Sequence, residues 1–90
     1  MRRVRWTQHA LKNLVEREID RAQAEATIAA PEFAVEESPG RRVLMRRYFD
    51  EVLGQEMLLR VVVEETDREL IVVTLYKSSQ LRRYLKGLEP

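Results

Sequence analysis

Three stretches rich in β-branched, aromatic and long apolar residues run from Arg41 to Phe49, Glu56 to Val63 and Leu70 to Tyr76. Only a loop around Gly54 and a polar turn over residues 64–69 separate them. Runs of that composition form strands, and connections that short join antiparallel neighbours. The chain must therefore build a meander and then cover it, because a lone sheet with a bare apolar face does not hold together in water.

The cover lies upstream. Arg2, Val4 and Trp6 alternate with Arg3 and Arg5, a short strand with one apolar and one cationic side. Thr7 can cap a first helix whose Leu11, Leu14 and Val15 form the expected buried stripe, leaving His9, Lys12, Asn13, Glu16 and Arg17 around the other side. Asp20 with Gln23 reads as a capping box, with Ile19 at the staple position, so a second, alanine-rich helix starts near Arg21 and ends before Pro31. The two helices are expected to pair antiparallel. Phe33 to Glu37 reads as a short edge strand before the Ser38-Pro39-Gly40 turn. Leu81, Tyr84, Leu85 and Leu88 mark a short C-terminal helix that Gly87 can end. The fold class is α+β, β-α-α-β-β-β-α with the edge strand at Phe33–Glu37 added before the meander, and two N-terminal helices packed on an antiparallel sheet in a single domain over residues 1–90.

The chain has no cysteine, which argues against an oxidising compartment, a thiolate metal site and a thiol nucleophile. The basic start has no apolar run behind it, and the longest apolar stretch, Leu70 to Val73, is far too short to span a bilayer. A cytoplasmic location without membrane contact is expected. One histidine and scattered carboxylates in turns give no metal-ligand pattern, and three scattered glycines give no phosphate loop, so neither a metal nor a cofactor is expected.

The formal charge is only +1, but it is unevenly distributed. Residues 41–47 and 77–86 are basic with no acid, whereas residues 50–69 are acidic. Strand alternation then assigns faces. Met57, Leu59, Val61, Val63, Ile71, Val73 and Leu75, with Val43, Met45 and Phe49, are expected to point to the helices. Arg42, Leu44, Arg46, Tyr48, Leu58, Arg60, Val62, Thr74 and Tyr76 are expected on an open face. Arginines and tyrosines together bind phosphates and stack on bases. The same residues, over Leu44, Leu58 and Val62, also suit a homodimer or protein interface.

The residues Thr7-Gln8-His9-Ala10, Asn13, Glu16-Arg17, Ile19 and Pro31-Glu32, with the late run Val72-Val73-Thr74-Leu75-Tyr76-Lys77-Ser78-Ser79, resemble a bacterial and archaeal domain-of-unknown-function family. Its members open with a T-x-H-A helix and an E-R-G-I turn, continue through N-P-E and end on V-V-T-x-Y. That family is similar to the RelE, ParE and BrnT group of small toxins, which share a β-α-α-β-β-β arrangement. RelE-type members cut RNA and ParE-type members inhibit gyrase. The resemblance carries the family's first-helix positions onto His9 and Arg17 and its final-strand position onto Tyr76. This chain departs from it with Asn13 where arginine is frequent, Glu18 where glycine is frequent and Ala30 where asparagine is frequent.

The resemblance implies a toxin of a toxin–antitoxin system, acting as a metal-independent ribonuclease, with RNA and an antitoxin protein as partners. The candidate catalytic residues are His9, Arg46, Tyr48, Arg60, Tyr76 and Lys77, the arginines to stabilise a pentavalent phosphate and the others to move protons. The alternative is a non-enzymatic binding or regulatory module that uses the open sheet face for a protein partner or for dimerisation.

Overall fold

The computed structural model describes residues 2–88 and shows an α+β fold with a five-stranded mixed sheet and three helices. The elements are β1 (Arg3–Trp6), α1 (Gln8–Glu16), α2 (Arg21–Ala29), β2 (Phe33–Ser38), β3 (Arg41–Asp50), β4 (Gln55–Glu65), β5 (Glu69–Ser78) and α3 (Leu81–Leu85). The sheet order is β1-β5-β4-β3-β2. The strands from β2 to β5 pair antiparallel as expected, but β1 adds to β5 in parallel, with Arg3 opposite Glu69 and Trp6 opposite Val72. The sheet is therefore mixed rather than wholly antiparallel. The physical reason is the α1–α2 excursion and the meander, which return the chain beside β1 in the same direction.

Local signals explain the helices. The Thr7 hydroxyl accepts from the Ala10 amide at 3.0 Å, and it donates to the Val72 carbonyl, so one side chain both caps α1 and ties it to β5. Asp20 caps α2 by accepting from the Ala22 amide at 3.0 Å. Between the helices, the Ile19 amide bonds to the Leu14 carbonyl and the Glu18 amide to the Val15 carbonyl, a Schellman ending with Glu18 at φ +52°. The position where glycine is frequent in the resembling family is thus one that needs a left-handed backbone. The two helices do not pair tightly with each other. α1 leans on β5, and α2 leans on β4 and β3.

Both faces of the sheet are buried, each in its own core. Ala10 and Ala24 from the helices and Ile19 from the turn between them pack on Leu44, Leu59, Val61, Val63, Val72 and Leu75. On the other side, α3 brings Leu81, Tyr84 and Leu85 onto Val43, Met45, Leu58 and Val62. The face expected to be open is covered by the shortest helix, and Leu58 and Val62 are buried with it. Those residues cannot offer the apolar surface on which the expected homodimer rested.

Two parts of the expected register are overturned. In β3, Leu44 faces α1 and α2 while Val43 and Met45 face α3, the reverse of the expectation. In β5, Val62 pairs with Thr74 but Val63 pairs with Val72, which leaves Val73 as an extra residue in a bulge. Parity flips there, so Val72 and not Ile71 or Val73 fills the core position. Leu59, Val61, Val63 and Leu75 lie inward as expected. No helix among the described residues is long and apolar enough to cross a membrane.

Candidate functional site

Arg60 on β4 stands directly across from Met45 on one side and Tyr76 on the other, which places it on the α3 face. Its guanidinium carbon lies 4.1 Å from the ring centre of Tyr84 and 5.2 Å from that of Tyr76. The two rings meet edge to face, 6.4 Å apart. The side chain donates to the Tyr76 hydroxyl, and its Nε is buried without an acceptor. Among the described residues no carboxylate pairs with it. Burial pushes the Tyr76 phenol up, and the adjacent Arg60 charge only partly offsets this, so Tyr76 stays protonated at neutral pH. Arg83 adds a second cation 5.6 Å from the Tyr84 ring. An aromatic-walled cation without a counter-ion suits an anion with an adjoining flat group.

A second constellation forms on the opposite face. The Lys77 ammonium donates to Asp50 Oδ2 at 2.9 Å and to the Glu18 carbonyl at 2.8 Å, while the Tyr48 hydroxyl donates to the same Asp50 oxygen at 3.1 Å. The side chains of Lys77 and Asp50 are 12% and 8% exposed. The Lys77 hydrogen bond, then the Leu53 amide, hold the Asp50 carboxyl at about 2, and burial with the Asp50 bond pushes the Tyr48 phenol up. Every acceptor here already has its donor, so the network ties the β3–β4 hairpin to the α1–α2 turn rather than awaiting a substrate. Because Asp50 is depressed in the fold, the stability that it contributes is complete above about pH 4 and is lost as pH falls towards 2. Glu32, bonded by Arg47, and Glu65, bonded by Arg2 and Arg42, are also held low and act with the same sign. Thermal melts from pH 2 to 7 should show Asp50→Asn less stable at neutrality and with a shallower acid decline.

The family model described as a domain of unknown function, DUF4258, matches residues 6–77. The chain belongs to this family. Comparison with curated proteins and with solved structures found no match.

In this DUF4258 chain the six residues expected to share a site fall into separate places. Arg60 and Tyr76 meet on the α3 face. Tyr48 and Lys77 meet through Asp50 on the helix face. Arg46 also lies on the helix face, opposite Leu59, and donates to the Ala30 carbonyl at 2.9 Å, closing the end of α2. His9 is exposed on α1, the helix that packs on the face opposite Arg60. The side of the first helix expected away from the core does not hold together either. Asn13 is buried, with Oδ1 accepting from the Thr74 hydroxyl at 2.7 Å and the Leu75 amide at 3.2 Å, and Arg17 donates to the Leu75 carbonyl. Leu11 and Val15, expected in the buried stripe, are 38% and 79% exposed. Sequence reasoning passed over Tyr84, Arg83 and Asp50. The acid-free run from Lys77 to Lys86, with an aromatic inside it, was the available signal for the first two.

Proposed function

We propose that this DUF4258 chain is a RelE-like, toxin-type protein that engages RNA on its α3 face, with Arg60 holding a phosphate. The observation that carries the reading is the Arg60 guanidinium itself, walled by Tyr76 and Tyr84, with a buried Nε lacking an acceptor and no carboxylate partner among the described residues. A phosphodiester supplies both the acceptor and the counter-charge, and an adjoining base can stack on an aromatic ring. The local acid-free run from Lys77 to Lys86 matters more here than the net charge of +1. For metal-independent cleavage, the ribose 2′-hydroxyl gives its proton to solvent water as it bonds to the neighbouring phosphorus, Arg60 stabilises the added negative charge, and the protonated Tyr76 gives its proton to the 5′-oxygen as the P–O5′ bond breaks. A toxin of this type carries a cognate antitoxin as its protein partner.

A non-enzymatic binding module is the second reading, and one observation favours it. Tyr48 and Lys77 are committed to Asp50, and His9 lies on the other side of the sheet, so none of these three stands beside Arg60 and Tyr76 to accept the proton of the 2′-hydroxyl. The test is anisotropy of labelled single-stranded RNA together with gel analysis of its integrity, for the full chain, Arg60→Gln and Tyr84→Leu, each with a thermal melt. Arg60→Gln should lower cleavage about a hundredfold while leaving a folded protein. Binding without cleavage would select the module, and wild-type protein that neither binds nor cuts RNA would end the RNA reading.

A further inference from the structure

The chain's single tryptophan, Trp6, lines a cleft of about 770 Å3 between β1, α2 and the sheet. Its apolar lining comes from Trp6, Ile28, Leu44 and Leu70, and the cleft lies on the α2 side, away from Arg60. Ligand sites are commonly of this size, apolar inside with a few charged groups at the mouth. Here the charged groups are unevenly matched. Arg2 and Arg42 both bond to Glu65, so two guanidiniums share one carboxylate. The third, Arg21, sits 5.0 Å over the Trp6 ring, with the Glu25 carboxylate, also in the cleft lining, 4.0 Å away, so three guanidiniums face two carboxylates.

A cleft with an apolar interior and one surplus positive charge at its rim selects for one kind of guest. A second ligand charge would be buried against Leu44 and Leu70 without a partner, at high cost. A neutral apolar guest would leave the rim charge uncompensated. We infer that this cleft binds an organic monoanion, an apolar body bearing a single carboxylate, with the carboxylate at Arg42 and Arg2 and the body against Trp6. The inference is independent of any role for Arg60, because the two sites are on opposite faces.

Trp6 makes the test direct, since its emission reports only on this cleft. The full chain is titrated with dodecanoate below its micelle concentration and, separately, with the uncharged methyl ester. Dodecanoate should give a saturable change in Trp6 emission, with binding at least about tenfold weaker for the ester and for Arg42→Gln, as loss of a charge-assisted hydrogen bond implies. Ala29→Phe, on the exposed wall of the cleft, should weaken dodecanoate without lowering the melting temperature. Equal binding of acid and ester, or indifference to both substitutions, would overturn the assignment. So would a Trp6 change that follows protein concentration alone, which would mean that a second copy of the chain fills the cleft.

Discussion

Asn13→Ala should destabilise the protein by about 2–4 kcal/mol, a large share of the stability of a domain this size. Asn13 is 2% exposed and sits where the β5 bulge disturbs the ladder. Its Oδ1 receives two donors, the Thr74 hydroxyl and the Leu75 amide. Alanine removes that acceptor and leaves a void that water reaches only by opening the α1–β5 contact. Urea denaturation monitored by circular dichroism measures the loss. Lys12→Ala, one residue away on the exposed side of α1, is the control and should stay within about 0.5 kcal/mol. An Asn13→Ala protein as stable as wild type would mean that the bulge satisfies its own backbone.

The second large effect concerns neighbours on opposite faces. Leu58→Ala and Leu59→Ala should each cost about 2–5 kcal/mol, as burial of both side chains demands. Each has 0% exposure, Leu59 under the two N-terminal helices and Leu58 under α3. A sheet covered on one side only would make the Leu58 substitution nearly silent. The same denaturation series decides it, with Val15→Ala, at a site 79% exposed, as the negligible case. A negligible loss in Leu58→Ala would show that α3 does not hold its place in solution.

Much of the architecture was legible because it rests on short-range chemistry. The strands from β2 to β5, the Thr7 and Asp20 caps and the Pro39-Gly40 turn follow from residue type at a given spacing, and each stands where expected. The faces of β3 did not follow, because Arg42 and Arg46 made the helix side look solvated. Their long side chains instead reach the sheet margin, one to Glu65 and the other to the Ala30 carbonyl. The β5 error has another origin. A single extra residue leaves composition unchanged yet puts the side chains on its two sides out of step, here reversing Ile71 and Val72 while Leu75 and Tyr76 keep their faces, so strict alternation cannot reveal it. It was the inverted β3 that mis-assembled the site. Arg60 and Tyr76 stayed partners because both lie beyond the disturbance, whereas Arg46 and Tyr48 went with the inverted strand.

The parallel joining of β1 to β5 sets an order on biosynthesis. Arg3 must wait for Glu69, and Trp6 for Val72, so β1 has no sheet partner until β5 has been translated. The β2–β5 meander, made of contacts between near neighbours in sequence, can form before that moment. Until β1 docks, the nascent protein exposes the β5 edge and lacks the side of the cleft that Val4 and Trp6 supply. A stalled or truncated product missing β5 would keep β1 unpaired and open to proteases and to other unfinished chains.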